Sequence, residues 1–273
     1  MDKLAALHVE LELYRRLAGA RVRGQMRYRT SFLIQVVSNF ALMFTELIVI
    51  YILFRHFESL GGWHGGEVAF LYAFSAIPFS IAHMVGSGFT GFQDQMVRGE
   101  FDRVLVRPAS AFGQVLSSDL QLRHIGRLTQ GCVALVIALT LVDVEWTTGR
   151  ILYAPIAILS AVVLFTSLFT LEATLCFWTT EGTEAINAFT YGGTTLAQYP
   201  MHIYDQWLRR LFLWIIPLGF VVFQPALYLL DKPDPLGLPS VARFLAPIAA
   251  LCFAVVTGAF WRIGIRHYRS TGS

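Results

Sequence analysis

Apolar residues fall along this chain in runs near twenty, separated by shorter polar stretches rich in arginine, glycine and proline. A helix needs about that length to cross roughly 30 Å of hydrocarbon. The pattern predicts about six such helices, near 32–54, 67–90, 124–142, 151–178, 205–230 and 241–262. The third begins with Arg127 and Gln130, and the fifth holds Pro217 and Pro225, which predict a kink. Residues 1–30 follow another rule. Leu4, Leu7, Leu11, Tyr14 and Ala18 recur at three- and four-residue steps and mark one apolar helical face. Arg15, Arg16, Arg21, Arg23, Arg27 and Arg29 crowd around and after it, as in a helix lying along an anionic leaflet rather than crossing it. The expected fold is therefore an all-α integral membrane protein: an amphipathic interfacial segment over 1–30, then a six-helix transmembrane domain over 31–273.

Composition sharpens this. Hydrophobic residues make up 55% of the 273 positions and charged residues 14%, with a mean hydropathy of +0.57. Soluble domains carry about a quarter charged residues. The first apolar run begins only near Phe32 and reaches Phe54, too late and too long for a cleavable signal, so it reads as a true span. Cys132, Cys176 and Cys252 lie inside apolar runs, match no metal or redox spacing, and read as small packing residues. Five of the six tryptophans (Trp63, Trp146, Trp178, Trp207 and Trp261) fall near predicted span ends, where interfacial anchors belong, and Trp214 lies slightly deeper.

Orientation follows from the basic residues. Seventeen gather on one side of the predicted spans and four, Arg55, Arg150, Lys232 and Arg243, on the other. The richer side should be cytoplasmic, which puts both termini inside a cytoplasmic membrane. The outside loops, about 55–66, 143–150 and 231–240, are too short to fold alone. The connections 91–123 and 179–204 should face the cytoplasm and present the docking surfaces.

The P-loop is absent, since neither Lys3 nor Lys232 follows a glycine. A GxGxxG string at Gly86–Gly91 ends an apolar helix instead of opening one after a strand, so it reads as close helix packing or a flexible joint. His64 and Glu67 lack a third ligand at a suitable spacing, so no metal site is expected. No nucleophile–histidine pair supports a catalytic site, and the basic N-terminal stretch leads into a span rather than a nucleic-acid fold.

The loop Phe92–Pro108 alternates acidic and basic residues with apolar anchors and stops at a proline. Val97, Phe101 and Leu105 stand four apart, so a helix there would show one apolar face and one charged face. A solvated loop obeying the positive-inside rule accounts for the same residues. The run Gln95 to Pro108, centred on Arg98-Gly99-Glu100-Phe101-Asp102-Arg103 and Arg107-Pro108, resembles the loop after the second span of type-2 ABC exporter permeases. It looks most like the subgroup reading RGE-(L/F)-D-R-x-L-x-RP. Tyr199–Tyr204 leading to Arg209, and the tail Trp261–Ser273, agree, so the resemblance covers essentially the whole chain. It implies a permease subunit paired with a second permease, a related chain or another copy of itself, and with two copies of a separate ATPase. ATP and Mg would be bound there, leaving this chain without a cofactor. It further implies that the loop after span two is a cytoplasmic coupling helix, with Arg98, Glu100, Phe101, Asp102, Arg103 and Arg107 as its contacts. The N-terminal stretch would be the family's interfacial elbow.

Polar residues inside spans carry an insertion cost and call for a reason. Gln35, Asn39 and Glu46 share one face of span one, and Ser80, His83, Ser87 and Thr90 one face of span two. Gln35, Asn39, Glu46 and His83 are candidates for a translocation path. Ordinary hydrogen bonding between helices explains them as well. The function expected is ATP-driven export of an amphipathic or hydrophobic substrate; a secondary transporter or a membrane-embedded lipid-modifying enzyme is the alternative.

Overall fold

The computed structural model describes residues 19, 23, 24, 27, 29–179 and 183–268. Most of the amphipathic stretch at 1–30, and Arg269 and Ser270 of the tail, lie outside them. Two long helices, α1 (Arg29–His56) and α2 (Gly65–Thr90), are followed by three short ones: α3 (Phe92–Val97), α4 (Phe101–Leu105) and α5 (Ala111–Ser118). Then come α6 (Ile125–Leu141), α7 (Thr148–Leu175) and α8 (Thr183–Ala197). A bent segment carries α9 (Gln206–Arg210) and α10 (Gln224–Leu229), and α11 (Ala246–His267) follows. No strand forms among the described residues.

Among the described residues four stretches are long and apolar enough to cross a membrane: Thr30–His56, Gly65–Val97, Thr148–Leu175 and Ala246–His267. They coincide with predicted spans one, two, four and six. The helix α6 falls where span three was expected, but its 17 residues rise only about 26 Å. At the centre stands α2, packed against α6 and α7, with Val68 to Phe79 buried almost without interruption. Glycines allow this closeness. A Cβ on Gly86 would stand 3.3 Å from the Phe169 ring, and one on Gly88 would collide with the Val115 carbonyl of α5. The GxGxxG string is thus packing surface. In contrast, α1 lies at the edge and leaves Leu33, Val37, Ile48 and Ile52 exposed.

The bundle has two ends. The proximal end holds the start of α1, the helices α3–α5 and the end of α11. The distal end holds the loops after α1 and α6 and the stretch between α10 and α11. Helix direction follows from side-chain contacts. Gly126 at the start of α6 abuts the Val36 backbone, and Gly66 at the start of α2 abuts Leu141. Phe177, just past α7, packs on Phe92 at the start of α3, while Arg150 near the start of α7 pairs with Asp231 at 2.7 Å.

The segment 179–230 departs from expectation. Residues 179–204 are not a simple proximal connection. They contain α8, which runs antiparallel to α2: the Tyr191 ring lies 5.6 Å from Phe79, and Ser75 Oγ donates to the Thr194 carbonyl. Beyond it, His202 Nε2 hydrogen-bonds the Gly61 carbonyl at 2.7 Å, in the loop after α1. The predicted span 205–230 is not one straight crossing either. Gln206–Ile215 and Gly219–Leu229 meet at 80°. Ile216 is extended (φ −111°, ψ 97°), as a residue before proline must be to clear the ring, and Pro217 donates no hydrogen bond. Wide π turns flank the bend at Leu211–Ile215 and Gly219–Phe223. The far arm ends where the near arm began, because Lys232 Nζ donates to the Gly62 carbonyl and pairs with Glu67 at 2.6 Å. The segment therefore enters and leaves at the distal end.

Charges and aromatics hold this cap in place. Lys232 also lies 5.0 Å from the Trp63 ring centroid, and Arg243 donates to the Lys232 carbonyl at 2.9 Å. Gln224 on α10 donates to Asp234 at 2.9 Å. Two tryptophans read as interfacial anchors are core instead: Trp63 stacks on Phe223, and Trp261 packs among Phe89, Phe92 and Phe177. Trp146, Trp178, Trp207 and Trp214 are exposed. Of the cysteines, Cys176 alone is buried; Cys132 and Cys252 face outward.

Candidate functional site

The proximal end carries the most organised polar surface, and its shape begins with Gly99. The helix α3 closes in a Schellman motif: the Glu100 N–H donates to the Gln95 carbonyl at 2.9 Å and the Gly99 N–H to the Met96 carbonyl at 3.1 Å. The geometry requires a left-handed residue at Gly99, whose φ is +66°. The loop is therefore two short helices with a sharp break, not one continuous coupling helix. Its return is pinned by Gln114 of α5, which donates to the Val104 and Ala109 carbonyls at 2.9 and 3.0 Å. Pro108 keeps Arg107 out of helical geometry, and Ser110 caps α5 by accepting from the Gly113 N–H.

The break separates the residues expected to share one apolar face. Val97 and Leu105 are exposed, but Phe101 is fully buried. Its ring meets Phe92, Phe177 and Tyr268 at centroid distances of 5.1, 5.4 and 5.0 Å. Phe101 faces inward because the turn at Gly99 rotates α4 away from the axis of α3. Asp102 is half-buried and accepts a hydrogen bond from the Tyr268 hydroxyl at 2.9 Å. Arg98, Glu100, Arg103 and Arg107 are exposed, with Val97, Leu105 and Val106 between them. The result is a charged and apolar surface standing on an aromatic root. That mixture of arginine and apolar side chains suits a protein-docking patch.

Sequence reasoning did not assign Phe177 or Gln114, and noticed Tyr268 only within a tail pattern. Nothing local marks the first two, since their partners lie on other helices. Burial and the hydrogen bond to Asp102, with that carboxylate's charge, raise the Tyr268 hydroxyl from 10.0 to about 12. A raised acid means that this latch contributes fully below pH 10 and is lost as pH climbs through about 12. Between neutral pH and 9 it should stay closed. Tyr268→Phe should therefore act at every physiological pH, speeding amide exchange over residues 101–105 about tenfold, as expected for loss of one hydrogen bond to a charged group.

The four candidate path residues are not brought together. Asn39 Nδ2 donates to the Gln35 carbonyl one turn earlier, and Gln35 is exposed on α1. Glu46 turns inward and accepts from the Tyr72 hydroxyl at 2.8 Å, while Gln130 Nε2 donates to that hydroxyl at 2.9 Å. This chain ties α1, α2 and α6 together. His83, eleven residues beyond Tyr72 and so about 16 Å along α2, sits in a nest of rings, stacked on His124 at 3.9 Å and edged by Phe79, Phe169 and Tyr191. Interhelical glue describes these contacts. Among the described residues no three His, Cys, Asp or Glu side chains gather as metal ligands.

Comparison with known proteins agrees with this architecture. No curated protein and no solved structure matches the chain. The model of a family described as ABC-2 family transporter protein matches residues 40–272, which takes in the bundle from the middle of α1 and the whole Phe92–Pro108 surface. The chain therefore belongs to the ABC-2 family of transporter proteins and is a multi-pass membrane permease.

Proposed function

We propose that this permease exports an amphipathic or hydrophobic substrate across a cytoplasmic membrane, driven by a separate ATPase that docks on the Arg98–Arg107 surface. The observation carrying this reading is the exposed patch of Arg98, Arg103, Arg107, Val97 and Val106 fixed to a fully buried Phe101. A push on such a surface moves its root, and the root touches the ends of α2, α7 and α11. The Arg98–Pro108 run also supports the subgroup with the RGE-(L/F)-D-R loop. Six crossings follow if α8 serves as the fifth: its 15 residues rise about 22 Å from the proximal towards the distal end. The bent segment then adds none, and both termini lie in the cytoplasm. Arg209 and Arg210 move outside, which changes the basic-residue balance from seventeen against four to fifteen against six, still clearly positive inside. Two permeases, related or identical, with two ATPase copies complete the complex, and ATP acts by favouring one transporter state over the other.

A secondary transporter would contain broken helices at the membrane midplane in matching halves of the chain. The one broken pair found among the described residues opens and closes at the distal end instead. The test is purification of the full chain from its native membrane in gentle detergent, with mass spectrometry of its partners. A P-loop ATPase should co-purify, and Arg98→Glu with Arg107→Glu should lower its recovery at least about tenfold, as loss of interface arginines does. A well-folded preparation carrying no ATPase, or an unchanged yield in the double variant, would refute the reading.

A further inference from the structure

A groove runs along the outside of the bundle between α5, α7 and α11. Its proximal part, about 640 Å³, is bounded by Ser110, Phe112, Trp261 and Arg262. It continues past Phe112 and Gly258 into a second hollow of about 270 Å³ reaching Val162 and Thr166 on α7. From Ala254 to Ile265 the groove follows twelve residues of α11, a rise of about 16 Å, or half the thickness of a hydrocarbon core. That is the depth of one leaflet. Its body is apolar and its mouth cationic, with Arg262 exposed there and Arg266 one turn beyond. Trp261 lines the mouth but is 3% exposed, and its indole N–H is buried and finds no hydrogen-bond partner among the described residues.

We propose that an anionic phospholipid occupies this groove, its phosphate at Arg262 and an acyl chain running past Gly258 towards Val162. The chemistry of the two ends decides the class: a zwitterionic lipid offers no net charge to Arg262, and a soluble anion has no use for the apolar hollow. The lipid would also bear on the root of the proximal surface. Phe112 lies 5.1 Å from Phe89, and Trp261 lies 5.4 Å from Phe92, which in turn packs on Phe101. Occupancy should therefore steady α3 and α4. The site rests on the proposed function only for its leaflet, which is the cytoplasmic one if the proximal end faces the cytoplasm.

The test uses the full chain in nanodiscs with a trace of phosphatidylglycerol carrying a diazirine in its acyl chain, the adducts being mapped by peptide mass spectrometry. Adducts should concentrate on residues 162–170 and 254–258. Unlabelled phosphatidylglycerol should compete, whereas phosphatidylcholine at the same mole fraction and inorganic phosphate should not. Arg262→Gln should lower labelling roughly fivefold, the worth of one basic side chain at an anionic leaflet. Gly258→Leu should abolish it without unfolding the chain, because a Cβ at Gly258 meets nothing within 4 Å. Amide exchange over 92–105 should slow in phosphatidylglycerol relative to phosphatidylcholine. Labelling spread evenly over the lipid-facing helices, or equal competition by phosphatidylcholine, would mean annular lipid only and overturn the site. Competition by inorganic phosphate would mean a free-anion site and overturn it too. None of these outcomes depends on recovering an ATPase, so the two readings fail separately.

Discussion

Phe101→Ala should release the proximal surface from the bundle, at a cost of about 3–5 kcal/mol to the packing of α4. The ring is fully buried and surrounded by Phe92, Phe177 and Tyr268, so its removal leaves a hole that three rigid neighbours cannot collapse to fill. Each of them is held in turn: Phe92 and Phe177 by the Trp261 ring, and Tyr268 by its hydrogen bond to Asp102. The measurement is amide exchange over residues 92–105, which should accelerate by about two to three powers of ten, local opening setting the ceiling. If the ATPase docks where proposed, it should still bind the exposed arginines but stimulate transport poorly, because a docking surface without its root moves alone. Unchanged exchange in Phe101→Ala would show that the two short helices stand on their backbone hydrogen bonds and the Gln114 clamp.

A single methyl should be nearly as damaging at Gly88. Alanine there places its Cβ into the Val115 carbonyl, a backbone atom that cannot swing aside, and 2.8 Å from Ser118 Oγ. The helices α2 and α5 must part, at a cost of about 1–3 kcal/mol or more. The same change at Gly258 meets open space and should be neutral, or stabilising by up to about 1 kcal/mol through helix propensity. Thermal unfolding of the two variants side by side in one detergent checks this. A lower midpoint for Gly88→Ala and none for Gly258→Ala is expected; equal midpoints would mean that α5 adjusts freely.

Much of the bundle was readable from hydropathy, because α1, α2, α7 and α11 are uniformly apolar over a full crossing length. The stretch after α7 was not, for two physical reasons. Helix α8 is short and carries Asn187, Thr190, Thr194 and Thr195, several of them hidden against neighbours or bonded back to their own helix, as Thr194 is to Thr190. It therefore looks like a polar connection. The bent segment looks like a span because composition has no direction: two apolar arms that turn at Pro217 have the hydropathy of one straight helix. The prolines marked a bend, but its size depends on contacts with Gly61 and Gly62, over 140 residues away. At the proximal surface the exposed residues were legible as a charge pattern. The inward turn of Phe101 was not, since four-residue spacing assumes an unbroken helix and Gly99 breaks it. Gly99 was itself the available signal, as a glycine following six helical residues is a helix stop.

A segment whose two ends meet at the same end of the bundle is neutral in the topology of the chain. Residues 203–232 could be lengthened, shortened or exchanged between relatives without inverting α11 or moving Tyr268 away from Asp102. A straight fifth span has no such freedom, because removing it would turn everything downstream over. The distal cap can thus change in length or sequence while the proximal surface, at the other end of the same helices, keeps its place.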